Sequence, residues 1–291
     1  MYFEKRQRIA VWTVSATVGL IVIVIPIILG LYVPQLPYII PIDQKVNNAI
    51  ALGFIIALAF PGLVEFSNYR WGRQVDKNIP RLLRDVTEAV RSGVALPRAL
   101  EEASQRDYGP ISKELEHTIS MFVLGTSFED SLMSFARRLR RPSALRLTTI
   151  LIEAQQTGGK LIEVLNTSVD LFSSLEEFRE EEYTNMKPYV STIYMSTFIF
   201  LIIAYIVLHQ FLAPLYASTA SSGVKQSGLL TGVLNINYYT GLLFWASVIE
   251  SLFAGLIGGK IVDRNLSAGL RHSIILIIIS VICFNLPNIW G

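Results

Sequence analysis

The chain has 291 residues, is 52% hydrophobic and has a mean hydropathy of +0.46. That is too apolar for an ordinary soluble domain. Its net charge of +2 excludes a general nucleic-acid-binding surface, and its single cysteine, Cys283, excludes a disulfide framework. Charge is unevenly placed: residues 65–187 hold 17 of the 25 Lys and Arg and 19 of the 23 Asp and Glu, which leaves long uncharged runs on either side.

In chain order, Lys5, Arg6 and Arg8 precede a stretch without charge from Ile9 to Ile42. It is too long for a signal peptide and lacks a small-residue cleavage site. About 20 apolar residues cross a bilayer, so a first span is expected at about 9–31, kinked at Pro26. A loop follows at Pro34, Pro37 and Pro41, and a second span at 46–64, ended near Pro61-Gly62. Three further spans are expected at 188–212, 238–259 and 273–289, with a polar loop over 216–236. Lys5, Arg6, Arg8, the charged block, Lys260, Arg264 and Arg271 fall on one side. Only Lys45 and Lys225 fall on the other. The excess of cations on the inner side therefore puts the N-terminus and the block in the cytoplasm and the C-terminus outside.

The block divides the chain into a membrane hairpin (1–64), a helical bundle (65–187) and a C-terminal membrane region (188–291). One pattern punctuates the bundle three times: Gly93 with Leu96 and Leu100, Gly125 with Phe128 and Leu132, and Gly158-Gly159 with Leu161 and Leu165. A glycine after a helix accepts the left-handed turn that ends it, and the apolar pair four residues apart begins the buried side of the next helix. A first bundle helix is expected at Val75–Ser92, burying Ile79, Leu82, Leu83, Val86 and Val90. Pro97, Pro110 and Pro142 suit first turns, and Ser127 with Asp130 resembles a capping box. The last helix keeps an apolar seam through Leu161, Val164, Leu165, Ser168, Leu171, Phe172, Leu175 and Phe178, and runs on toward the third span. The fold class is all-α: an integral membrane protein with about five transmembrane helices and one bundle between the second and third.

No motif for catalysis stands out. The phosphate-loop pattern fails at Gly158-Gly159-Lys160 and Gly258-Gly259-Lys260, where the required upstream glycine is Ala154 or Ala254 and the following Ser/Thr is Leu161 or Ile261. His117, His209 and His272 lie far apart with no ligand at metal spacing. No enzymatic activity, cofactor or metal is expected. Two charge clusters are either solvated helix faces or docking surfaces. They are Arg137, Arg138, Arg140 and Arg141, running on to Arg146, and Glu176, Glu177, Glu180, Glu181 and Glu182. Like charges at Glu176/Glu180 and Glu177/Glu181 require an offsetting cation, such as Arg179 or a basic partner. In the fourth span, Ser247, Ser251, Gly255 and Gly259 form a small-residue row beside Ala246, Glu250, Ala254 and Gly258. Small residues let helices approach closely, which places Glu250 against protein, as a structural hydrogen bonder or a contact for another helix.

A six-helix domain with Gly-x-x-apolar helix starts, a Gly-Gly-x-Leu turn and direct continuation into a membrane helix resembles the type II secretion F family. These are the platform proteins of type IV pili, Tad pili, archaella and type II secretion. The Thr157-Gly158-Gly159-Lys160-Leu161 stretch is closer to the Tad and archaeal branch than to the Glu-x-Ser-Gly pattern of the bacterial secretion branch. The resemblance implies a platform in the cell membrane that couples a cytoplasmic hexameric ATPase to the lifting of pilin-like subunits. A second copy or a related platform subunit would complete a dimer, since longer members carry two such domains. On this reading Arg137, Arg138, Arg140, Arg141, Glu180, Glu181 and Glu182 would meet the ATPase, and Glu250 a helix in the bilayer. A small transporter or channel, or a receptor with a helical signalling block, is the alternative. The odd number of spans, the lack of inverted halves and the scarcity of intramembrane charge speak against a transporter.

Overall fold

The computed structural model describes Phe3 and residues 5–32, 39–221 and 236–286, with no strand among them. The helices are α1 (Lys5–Ile28), α2 (Gln44–Arg91), α3 (Leu96–Ser104), α4 (Pro110–Val123), α5 (Phe128–Leu139), α6 (Pro142–Thr157), α7 (Leu161–Ile206), α8 (Ala213–Ser221), α9 (Ile236–Asp263) and α10 (Leu266–Asn285). A single 3₁₀ turn, Gly158–Lys160, precedes α7, and a π-helical segment, Val207–Leu212, follows it. Five helical stretches are long and apolar enough to cross a membrane: α1, α2, the run 142–217 that contains α7, α9 and α10. The all-α membrane class therefore stands. The prolines at 34 and 37, Lys225, most of the 216–236 loop and the end of the expected fifth span lie outside the described residues.

The chain falls into two compact units. One comprises Ser67–Thr184 with Phe3, the other Lys5–Phe66 with the residues from Asn185 onward. In the bundle unit, the three repeats mark helix starts. Gly93, Gly125 and Gly158 have φ of +97°, +99° and +59°. Leu96, Phe128 and Leu161 are the first residues of α3, α5 and α7. Their partners Leu100, Leu132 and Leu165 are at most 1% exposed. Gly159 has no left-handed backbone; it lies inside the 3₁₀ turn that Gly158 opens. At the second start, the Ser127 hydroxyl accepts from Asp130 N at 3.1 Å, but it donates to Asp130 Oδ2 at 2.7 Å. Asp is one methylene too short to reach the backbone N–H that a capping-box Glu would cover.

Ile79, Leu82, Leu83, Val86 and Val90 are buried as expected and form one core with Leu96, Leu100, Tyr108, Ile111, Leu115, Phe135 and Leu147. The seam of α7 differs. Leu165, Ser168 and Phe172 are buried, whereas Leu171 and Phe178 are 54% and 61% exposed and Leu175 is exposed too. An apolar stripe at i, i+4 and i+7 cannot show whether a neighbouring helix covers it.

In the span unit, the expected break near Pro61-Gly62 is absent: α2 runs unbroken from Gln44 to Arg91, so the separate helix expected at Val75–Ser92 is its last part. Proline lacks an N–H and strands the carbonyl four residues earlier, here Ala57. The buried hydroxyl of Ser15 on α1 lies 3.1 Å from that oxygen and 2.7 Å from Ile56 O. The hydroxyl has one proton to share between the two carbonyls, so a side chain from a neighbouring helix partly offsets what the proline removes. Gly19 and Gly53 allow that proximity, because a Cβ on either would lie under 3 Å from the other's carbonyl oxygen. The fifth spanning helix begins at Leu266, seven residues before the expected start. Asn265 caps it by accepting from Ser267 N at 3.0 Å, and Arg271 is neutralised by Asp263 at 2.8 Å.

Candidate functional site

The bundle unit concentrates its charge around Asp76 on α2, which is buried. Arg140 takes a left-handed conformation (φ 51°) that ends α5, and Pro142 starts α6. Between them Arg141 is turned onto α2. Its Nε donates to Asp76 Oδ1 at 3.3 Å and its Nη2 pairs with Oδ2, while the Ser143 hydroxyl also donates to Oδ1. Arg179 on α7 adds an ion pair at 3.5 Å. Gly72, one turn before Asp76, leaves room for the guanidinium; a Cβ there would be 3.1 Å from Arg141 Nη1. A buried carboxylate needs this many donors to offset its desolvation, so the cluster closes α2, the α5–α6 junction and α7 on one another.

The basic run Arg137–Arg141 therefore divides. Arg141 serves Asp76, and Arg138 pairs with Glu114 on α4 beside His117. Arg137 and Arg140 are exposed, as is Arg146 on α6. The acidic run divides as well. Glu180 pairs with Lys77 of α2 at 2.9 Å, and that bond holds its carboxyl below the ordinary carboxylate range. Glu176 is half-buried, with Arg179 at 3.9 Å and one oxygen unpartnered, and burial pushes its carboxyl up. Glu177 and Glu181 are exposed, and Glu182 is half-buried. The like-charge pair Glu176/Glu180 is thus offset from within the chain, by Arg179 and by Lys77. Sequence reasoning missed Asp76 and Lys77. Their only signal was charge beside the apolar positions Val75 and Ile79. It also missed Asp85, which takes the hydroxyl of the fully buried Tyr108 at 2.6 Å and Arg106 at 3.1 Å; burial, then the Asp85 bond, raise the phenol.

In the span unit, α9 uses its two small-residue rows differently. A Cβ at Gly255 would overlap the backbone of Ser273, and one at Gly259 the backbone of Gly269. Ser251 and Ser280 hydroxyls lie 3.0 Å apart. Ser251, Gly255 and Gly259 of that row are therefore consumed by α10. The adjacent row faces α7: Gly258 approaches Ile193, and the Ser196 hydroxyl lies 3.5 Å from Glu250 Oε1. Glu250 Oε2 is buried without a partner.

A chain of contacts crosses five helices of this unit, meeting α1, α9 and α10 near one end and α2 and α7 within their length. Arg8 binds Glu65 through two bonds of 2.8 and 2.7 Å. Arg271 lies over the Phe66 ring at 4.8 Å and pairs with Asp263. Arg271 Nε also donates to His272 Nε2, which leaves Nδ1 to donate to Tyr194, 3.0 Å away. Among the described residues, no group of three His, Cys, Asp or Glu side chains could hold a metal.

Residues 82–209 match the family model of type II secretion system (T2SS), protein F. An uncharacterized protein of Methanocaldococcus jannaschii, MJ1286, is 27% identical over 212 residues. The match covers 72% of this chain and 33% of that relative, so the chain spans about a third of the length of the curated relative it matches. No solved structure gives a significant match. The matched segment begins in the part of α2 that lines the bundle core and ends in the π-helical segment after α7. Over residues 82–209, the chain carries the protein F domain of the type II secretion family.

Proposed function

We propose that this chain is a membrane platform protein of a type IV filament, or of a related secretion machine. It would couple a cytoplasmic assembly ATPase to the insertion of pilin-like subunits. The protein F domain over 82–209 is the observation that carries the reading. In this reading the chain is organised as a membrane hairpin (1–64), a cytoplasmic bundle (65–187) and a C-terminal membrane region (188–291), with the N-terminus inside the cell and the C-terminus outside. The excess of Lys and Arg on one side of the spans supports that orientation.

The chain would have no chemistry of its own. A hexameric ATPase would act on the bundle and on the 260–272 segment. Arg137, Arg140 and Glu181 would be the exposed charges offered to it, with Glu182 beside them. Arg138, Arg141 and Glu180 would set the shape of that surface through the ion pairs they already make. Because α7 is one helix from Leu161 to Ile206, a displacement of the bundle would pass along it toward the pilin-like subunits. The platform would act as a dimer with a second copy or with a related subunit.

The test is purification from detergent-solubilised native membranes with a tagged chain. The platform reading expects a filament-type ATPase to copurify. A solute-linked transport activity, or a signalling partner in place of the ATPase, would overturn it.

A further inference from the structure

The contacts that run from Arg8 to Tyr194 bring one end of the span unit to a common level on α1, α2, α7, α9 and α10. Around that level the described residues of the unit set seven cations (Lys5, Arg6, Arg8, Lys187, Lys260, Arg264 and Arg271) against two acids, Glu65 and Asp263. The fold withdraws both acids from the surface. They are 6% and 8% exposed, and Arg8 and Arg271 hold them at 2.7 and 2.8 Å. Lys5, Arg6, Lys187 and Lys260 are left exposed, with no ion pair among the described residues. At 1.5 Å per residue, all four lie within about 11 Å of Arg8, Tyr194 or Asp263 along their own helices. The side chains just inside them are apolar and exposed: Ile9 follows Arg6 by three residues, and Ile257 precedes Lys260 by three. Exposed Trp12 and Tyr189 add the aromatic side chains that gather at a membrane–water boundary.

We infer that Lys5, Arg6, Lys187 and Lys260 form a collar for the phosphates of anionic phospholipids in the leaflet at this end. Exposed apolar side chains on a spanning helix lie in hydrocarbon, so cations a turn or two beyond them stand at headgroup depth. Long Lys and Arg stems reach that layer along apolar surface while the charge stays in water. A headgroup phosphate meets no opposing carboxylate there, because Glu65 and Asp263 are already buried and paired. The far end of α2 is different. Asp43 and Lys45 are both exposed, so among the described residues the charges there cancel. Lys45 stands about 30 Å along α2 from Glu65, which matches the thickness of a hydrocarbon core. Ile9, Ile257 and Trp12 beside the cations suit acyl chains rather than the polar surface of a soluble acidic protein. The inference rests on the membrane spans alone and not on the platform reading.

The test uses the full chain in phosphatidylcholine vesicles, with spin-labelled phosphatidylglycerol or phosphatidylcholine as the probe. The motionally restricted fraction of each label measures its contact with the protein. One cation beside an anionic headgroup gives roughly a fivefold preference. Averaged over both leaflets, this should appear at low salt as about a twofold excess of restricted phosphatidylglycerol. The excess should vanish at about 0.5 M salt, where charges are screened within about 4 Å. Lys5→Gln, Arg6→Gln, Lys187→Gln and Lys260→Gln together should bring the two labels close to equality, whereas Lys45→Gln alone should keep the excess. Should the quadruple variant fail to insert, the Lys5→Gln/Arg6→Gln and Lys187→Gln/Lys260→Gln pairs should each remove part of it. Equal restriction of both labels by the unaltered protein, or an excess that survives salt or these substitutions, would overturn the inference. So would loss of a copurifying acidic protein with lipid contact unchanged, which would assign the cations to that partner. Failure of the ATPase to copurify would sink the platform reading and leave this result standing.

Discussion

The hydroxyl of Ser15 lies 3.1 Å from the carbonyl oxygen of Ala57, the acceptor that Pro61 deprives of its helical N–H. Ser15→Ala should destabilise the detergent-solubilised protein by about 0.6 kcal/mol, and up to about 1.7, the range of interhelical bonds in lipid. Pro61→Ala returns the missing donor, so Ser15→Ala should cost measurably less in that background. Unfolding curves for the four proteins of this cycle measure the coupling. Strict additivity would show that the two residues do not share the carbonyl.

Asp76 accepts from Arg141 and Ser143 and is ion-paired with Arg179. Asp76→Ala should lower the stability of the bundle by about 1–3 kcal/mol, the cost of leaving bonded groups without a partner. The two arginines remain partly exposed, which keeps the loss below that of a fully buried pair. Thermal unfolding followed by circular dichroism reads this directly, and an unchanged midpoint would remove Asp76 from the structural core.

Arg137, Arg140 and Arg146 are exposed, whereas Arg138 and Arg141 hold ion pairs. Changing the first three to Glu should abolish copurification of the ATPase without changing the unfolding midpoint. Each exposed charge is worth only ~0–1 kcal/mol, so single changes should be weak. Arg141→Glu should instead lower the midpoint, because it sets a second carboxylate beside Asp76. Full retention of the ATPase by the triple variant would return these arginines to a solvated face.

Burial pushes the Glu176 carboxyl above its ordinary value. Between the ordinary carboxylate range and that raised value the folded state binds more protons than the unfolded state, so stability falls as pH rises through the window. Glu176→Gln should therefore raise the unfolding midpoint at pH 7. The gain should vanish at pH 4, where both proteins carry a neutral side chain. A loss of stability at pH 7 would mean that attraction to Arg73 and Arg179 outweighs desolvation.

Sidedness can be read by labelling. In a Cys283→Ser background, Ser221→Cys should react with an impermeant maleimide in intact cells, and Lys160→Cys only after permeabilisation. Reaction of both from the same side would overturn the cytoplasmic bundle, and with it any contact between the bundle and a cytoplasmic motor.

The amino-acid sequence by itself determined the bundle's helix starts. Gly93, Gly125 and Gly158 act on their own backbone, and Leu96, Phe128 and Leu161 follow three residues later, so every interaction involved is local. The buried face Ile79–Val90 was legible for the same reason, as helical periodicity needs only one helix. The continuity of α2 through Pro61 is supported from elsewhere, by the Ser15 hydroxyl, 42 residues before the Ala57 carbonyl it approaches. Which arginines stay free was also a tertiary outcome, because Asp76 and Glu114 lie 65 and 24 residues from the side chains they hold. The seam of α7 read as one stripe. Packing buried Leu165 and Phe172 and left Leu171 and Phe178 outside, since amphipathicity records which face is apolar but not how far its neighbour extends. In α9 the spacing of small residues announced close packing. Only the assembled helices assigned Gly255 and Gly259 to α10, and set Glu250 beside Ser196 at the rim of α7.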